Sequence, residues 1–402
     1  MIKFFFSNLL PILFMAGTIS WGYLGLMDIK TQLSPIGKPK YLRNKVFDIN
    51  ERKAELDKLM NNFVPGREYW TEAFYYLQTL MNKKEYNSFS IVKTEEGILN
   101  TGSFVPPDLS DLRKKAKFYQ KLKNSTENIG GRFIVYNPPI RPSLTEVAQD
   151  TFVPQLNLNP RIDAFLQHLR EFGVDFIDGR YSLADLETLP PKMMQYKTDR
   201  LWTSQTSFEA FKNLVGMLAE KYALDLDPDE YYRDQSNYEF TTYPNYFLGM
   251  LAVNTSRLIA GLDDFTAISP KFNNNYIVEF MGTEHGYAKV EGGNFAALYN
   301  LAALIDESSR ADNLKAVLPY NYYLGGLHSM VTITNNDHPE RPMVLLIHDA
   351  FGVPLGSFMA PLSGKMVLVN PYSGGVYVPE LNRFITDQKF DLVIVVTSIY
   401  SI

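Results

Sequence analysis

The alternation of apolar and polar positions divides the chain into stretches of different period. From Phe4 to Met27 no charged residue occurs. About 20 apolar residues suffice to cross a bilayer, and no A-x-A-like cleavage site follows. A membrane-spanning helix over 1–27 is therefore expected, as an anchor or uncleaved signal. Flanking charge does not orient it: Lys3 lies on one side, and Lys30, Lys38, Lys40, Arg43 and Lys45 on the other. Residues 28–46 hold Pro35, Gly37 and Pro39 and read as a linker.

Phe47 to Met81 has a mainly helical pattern, interrupted at Pro65-Gly66, and Ser88–Leu99 alternates as a strand pair around Glu95-Glu96-Gly97. Arg132–Tyr136 is an apolar run stopped by Asn137-Pro138-Pro139. Asn159 and Pro160 supply an N-cap and a first-turn proline to a helix carrying Ile162, Phe165, Leu166 and Leu169, with Gly173 ending it before a strand at Val174–Ile177. Strand, helix, strand predicts a parallel βαβ unit. Thr203 can cap a helix with Phe208, Phe211, Leu214, Val215 and Leu218 on one face. Leu224–Tyr243, acidic and tyrosine-rich, reads as an insertion, and Pro244–Glu279 as loop, so an insertion is expected near 221–280. Met343–Ile347, Lys365–Val369 and Asp391–Val396 are β-rich runs separated by helix-length segments, Val353–Leu362 and Pro379–Gln388. That interval predicts a parallel sheet covered on both faces, an α/β fold.

Composition narrows the chemistry. The chain has 402 residues, a net charge of −5 and no basic block, which argues against nucleic acid as a partner. The absence of cysteine excludes disulfides and thiolate chemistry. The five histidines form neither H-x-x-x-H nor H-E-x-x-H, and there is no G-x-G-x-x-G, P-loop or G-x-S-x-G, so neither a metal nor a cofactor is expected. Asp225, Asp227 and Asp229 suggest calcium, but Glu230 and Ser236 stand where an EF-hand loop takes Gly and Glu, and a solvated loop is preferred. Aromatics make up 14% of the chain. They suit a carbohydrate-facing surface, but core filling is the preferred reading.

One junction invites catalysis. The apolar run ending at Ile347 breaks into His348-Asp349-Ala350-Phe351-Gly352 before a helix. In α/β enzymes a nucleophile is displayed at the carboxyl end of a central strand. Here that position is Ala350. His348 and Asp349 read either as a polar pair at a site mouth or, preferably, as a strand-ending turn in which Asp349 bonds its own backbone. Asp199, in a loop before a helix, reads on its own as a solvated or capping carboxylate.

From about residue 50 to the C-terminus, these loops together resemble the SGNH-hydrolase-like proteins related to alginate O-acetyltransferases, in the DHHW branch. Family members carry a segment like Y-K-T-D-H-H-W-T before a helix and H/G-D-S-F-G after an apolar strand. Here these are Tyr196 to Thr203, with Asp199-Arg200-Leu201-Trp202 at the centre, and His348 to Gly352. Phe172 to Asp178, Asp264-Phe265 and Pro270-Lys271-Phe272 also match in order. The resemblance implies a flavodoxin-like three-layer domain over 47–402. It also implies a triad in which serine attacks an acyl group, a histidine two residues after the motif aspartate takes its proton, and the aspartate orients the histidine. Asp199 matches the aspartate, but Leu201 occupies the histidine position and Ala350 the serine position. Arg200, Trp202, His348 and Asp349 are the expected site-lining residues.

Without a nucleophile or a base, the expectation is an inactive homologue that binds glycan or acts as a scaffold in cell-surface or exopolysaccharide O-acetylation. It would be membrane-anchored and extracytoplasmic, with polysaccharide, a membrane-bound O-acyltransferase or an active SGNH homologue as partner. The alternative is an active acetylesterase or O-acetyltransferase with a relocated nucleophile, for which His348 and Ser357 are the neighbours to consider.

Overall fold

The computed structural model describes residues 67–141, 156–183, 193–253, 255–273, 275–283, 286–291, 298–300, 319–372 and 380–401. The expected anchor over 1–27, the linker over 28–46 and the stretch from Phe47 to Gly66 lie outside the described residues. Among the described residues no helix is long and apolar enough to cross a membrane. The chain divides into two compact units, Met1–Met81 and Asn82–Ile402. The described part of the first is helix α1, Arg67–Leu80, which leaves Phe74, Leu77 and Leu80 exposed.

The second unit opens with a small antiparallel sheet of β1 (Glu85–Tyr86), β2 (Ile91–Lys93) and β3 (Leu99–Thr101). Its β2–β3 hairpin is the expected strand pair. Helix α2, Leu112–Glu127, buries Leu112, Ala116, Tyr119 and Leu122 at helical spacing. Then come β4 (Arg132–Asn137), α3 (Asn159–Glu171) and β5 (Phe176–Asp178), with β4 and β5 parallel as the βαβ pattern required. The cap of α3 sits one residue earlier than expected, at Leu158, and the Asn159 side chain instead accepts a hydrogen bond from Arg180. A short helix α4, Gly179–Ser182, follows.

Helix α5, Ser204–Tyr222, is capped by Thr203, whose hydroxyl accepts from the Thr206 N–H at 3.2 Å. Its buried face carries all five residues that the spacing selected. The stretch read as insertion and loop is more ordered than its sequence suggests. It contains β6 (Tyr238–Phe247), short helices α6 (Met250–Val253) and α7 (Arg257–Ala260), β7 (Asp263–Pro270) and the start of β8 (Tyr276–Thr283). The loop reading of Pro244–Glu279 is therefore corrected. Pro244 lies where the β6–β7 register slips, a place where a strand tolerates proline, and Asp263-Asp264 at the start of β7 hides an otherwise buried strand.

After β9 (Gly286–Glu291) and β10 (Met330–Asn335), the C-terminal third supplies β11 (Met343–His348), α8 (Gly352–Met359), β12 (Lys365–Val369), α9 (Leu381–Gln388) and β13 (Leu392–Val396). The large sheet runs β5-β4-β13-β11-β12-β10-β8-β9. Its first five strands are mutually parallel, and β10, β8 and β9 extend it antiparallel. Register places the layers. Gly356 of α8 lies against Leu346 and Leu368, which align with Ile394 and Ile134. Tyr119 of α2 packs on Phe133, which aligns with Val393 and Leu345. Successive strand residues point to opposite faces, so α2 and α8 cover opposite sides of the sheet. Each apolar side chain of β11 and β13 buried between them contributes on the order of 1.5–3 kcal/mol.

Candidate functional site

After β11 the chain builds β12 on one side and then β13 on the other. Such a reversal opens a crevice beyond the carboxyl ends of the strands. The turn Asp349–Phe351 occupies that place. His348, 2% exposed, ends the strand, with Nδ1 2.8 Å from the Asp349 carbonyl. Burial pushes its pKa down, so the imidazole is neutral and Nδ1–H is the donor. Gly352 is required here: a Cβ on it would stand 2.3 Å from His348 Cβ. Asp349 Oδ1 accepts from the Phe351 N–H at 3.0 Å. Its Oδ2 accepts from the Ser398 N–H at 2.7 Å and from the hydroxyls of Ser398 and Ser401, both at 2.8 Å. The carboxylate thus ties the turn to the segment leaving β13. Ala350 is half-buried, and its carbonyl accepts from the Val353 N–H at 3.4 Å.

The second loop is built around another carboxylate. Asp199 Oδ1 accepts from the N–H groups of Arg200 (2.6 Å) and Leu201 (3.1 Å), and Oδ2 from Met250 (2.7 Å). Beside it, Asp263 accepts from the N–H groups of Lys197 and Thr198, both at 2.8 Å, and from the Thr198 hydroxyl. Burial raises the Asp263 pKa and these donors oppose the rise. Gly249 permits the approach, since a Cβ there would meet the Thr198 carbonyl at 2.5 Å. Leu201 is half-buried against the core. Trp202 is fully buried, beneath the surface of the crevice rather than on it.

Trp202 joins the two loops. Its ring meets Phe351 edge-on at 5.4 Å and Tyr136, at the end of β4, at 6.4 Å. Its carbonyl accepts from the Tyr320 hydroxyl, and its Nε1–H is buried without a partner. The Asp199 and Ala350 stretches, far apart in sequence, therefore meet at the carboxyl end of the sheet. Four contributors were missed by sequence reading: Arg141, Tyr400, and Ser398 and Ser401, which bind Asp349. Arg141 donates to Gln195 and to the Asp199 carbonyl, and Tyr400 donates to the Arg141 carbonyl at 3.3 Å. All lie within a few residues of the carboxyl ends of β4 and β13. The rule that picked out Ala350 could have found them had it been applied to the neighbouring strands.

Ser357 is wholly buried, and its hydroxyl donates to the Leu298 carbonyl at 3.3 Å. Cavities of about 690 Å³, beside Arg180 and Tyr181, and about 860 Å³, beside Lys212 and Tyr231, involve neither loop. Among the described residues no cluster of His, Asp and Glu is arranged to hold a metal. Asp227 is instead occupied by the Tyr232 and Arg233 N–H groups and the Arg233 guanidinium.

No family model and no curated protein sequence matches the chain. Solved structures do. A DHHW family protein from Eubacterium siraeum superimposes with a TM-score of 0.55 at 14% identity, over 79% of this chain and 93% of that one. Bacillus cereus PatB1 superimposes with a TM-score of 0.60 at 15% identity, over 77% of this chain and 96% of that one. PatB1 has also been solved with a sulfonyl adduct, at the same TM-score and 14% identity, over 77% of this chain and 94% of that one. The chain has the SGNH-like fold of these proteins. At such identity the likeness shows the fold alone, an α/β architecture with a mostly parallel central sheet.

Proposed function

We propose that this protein is a non-catalytic SGNH-like component of polysaccharide O-acetylation, anchored in the membrane with its folded domain outside the cytoplasm, where it binds glycan or scaffolds an active acyltransferase. One observation carries this reading. The two positions that the resemblance assigns to nucleophile and base are Ala350 and Leu201, while the strand, turn and loops around them are intact. Alanine has no nucleophilic atom and leucine no site for a proton. The remaining carboxylates are held structurally: Asp199 receives three backbone N–H groups, and Asp349 receives four donors. Neither the buried Ser357 nor the buried, neutral His348 supports a relocated nucleophile. The sulfonyl adduct of PatB1 marks the contrast, because the same fold takes a covalent label in that protein.

Loss of triad members removes on the order of 10⁴–10⁶ in rate, non-additively. Purified full-length protein is therefore expected to show neither a burst nor saturable release from 4-nitrophenyl acetate, while retaining binding on a glycan array. Saturable turnover would remove the non-catalytic reading. An array without hits, alongside a stably co-purifying acyltransferase, would select the scaffold over glycan binding.

A further inference from the structure

Two arginines flank the crevice with no salt bridge to a carboxylate among the described residues, although Asp263 and Asp199 act on Arg141 through space. Arg141 is 6% exposed. Its backbone N–H and Nε donate to Gln195 Oε1 at 2.7 and 3.1 Å. Its Nη2 donates to the Asp199 carbonyl at 3.1 Å and to the Tyr196 carbonyl. Its Nη1 is buried with no acceptor at all. Burial lowers its pKa to about 10, which leaves the guanidinium charged at neutral pH. A buried cation is ordinarily paired with a carboxylate. Arg200, half-buried, lies 5.2 Å over the Tyr400 ring, and its Nε likewise has no acceptor. Tyr400 links the pair, since its hydroxyl donates to the Arg141 carbonyl at 3.3 Å. The neighbouring carboxylates form no hydrogen bond to these cations: Asp199 is engaged by three backbone N–H groups, and Asp263 and Asp349 by backbone N–H groups and hydroxyls.

We propose that the crevice binds an anionic group, a carboxylate or phosphate carried on the ligand, through the outer edge of Arg200. Tyr400 holds that guanidinium in place, and Arg141 supplies a second positive charge behind it. This rests on the non-catalytic binding role proposed above and names the chemistry that role recognises. A planar guanidinium presents paired N–H donors that match carboxylate and phosphate oxygens, and stacking on an aromatic ring fixes its plane before the ligand arrives. Where the resemblance expects a titratable histidine, this chain carries a permanent cation.

The test uses full-length protein in nanodiscs and calorimetry with three probes: tri-galacturonic acid, its carboxyl-reduced neutral counterpart, and inorganic phosphate. At least one of the two anions is expected to bind, more weakly as salt rises, and with about tenfold lower affinity in Arg200→Gln. An unchanged melting temperature in that variant shows the fold is retained. The probe that depends on Arg200 tells uronate from phosphate. Failure of both anions to bind, binding of the neutral trisaccharide as tightly as the acid, or an Arg200→Gln variant with undiminished affinity overturns the proposal. Binding of the neutral trisaccharide alone overturns it while leaving the non-catalytic role standing. Acetyl-ester turnover defeats that role without bearing on anion binding.

Discussion

Asp199, which matches the motif aspartate of the resemblance, holds two segments together through its carboxylate. Its carboxylate receives backbone N–H groups from two directions and so joins the 196–203 loop to the start of α6. Replacing it by asparagine removes the charge from all three hydrogen bonds and sets an amide group against an N–H. Asp199→Asn is expected to lose about 1–3 kcal/mol in urea unfolding; unchanged stability would contradict the anchoring role. His348 makes a second prediction. Burial holds its folded-state pKa below the unfolded value of about 6.5. The unfolded chain therefore binds the proton first on acidification, and stability present above that pH is lost as pH falls through about 6.5. His328, also lowered by burial, acts in the same direction. Unfolding curves at pH 7.5 and 5.5 should show this loss, and His348→Gln should reduce its slope.

At the scale of elements, the turn and loops are positioned by tight local geometry. Gly352→Ala would place a methyl group within 2.3 Å of His348 Cβ. Overpacking of this kind costs about 1–3 kcal/mol, and a melting temperature equal to wild type would show that the turn is looser than described. Thr203→Ala should lose about 1 kcal/mol from the α5 cap, measured in the same way. Legibility followed periodicity. Strands β4, β11, β12 and β13 and helices α3, α5 and α9 could be read because each is an apolar run or stripe with a marked boundary. Strands β6 and β7 were missed because Pro244 and Asp263-Asp264 resemble loop chemistry, and α2 because its surface of Lys, Gln and Asn masks a narrow apolar stripe. In the site, Asp199 and Ala350 were legible through motif position. Arg141 and Tyr400 were not, because the strand-end rule was applied to β11 alone and not to β4 and β13.

On the scale of the whole molecule, the proposed function has the folded domain held at a membrane by the uncharged run from Phe4 to Met27. Full-length protein is then expected in the membrane fraction after alkaline carbonate washing, with its folded domain open to protease added from outside the cytoplasmic membrane. Recovery in the wash would contradict the anchor, and protection from that protease would contradict the orientation. The central claim is that no nucleophile remains in the crevice, and a fluorophosphonate probe followed by intact mass tests it most directly. The folded, full-length protein is predicted to show no mass increase. Stoichiometric addition of one phosphonyl group, mapped by peptide analysis to a serine or threonine at the carboxyl end of the sheet, would contradict it.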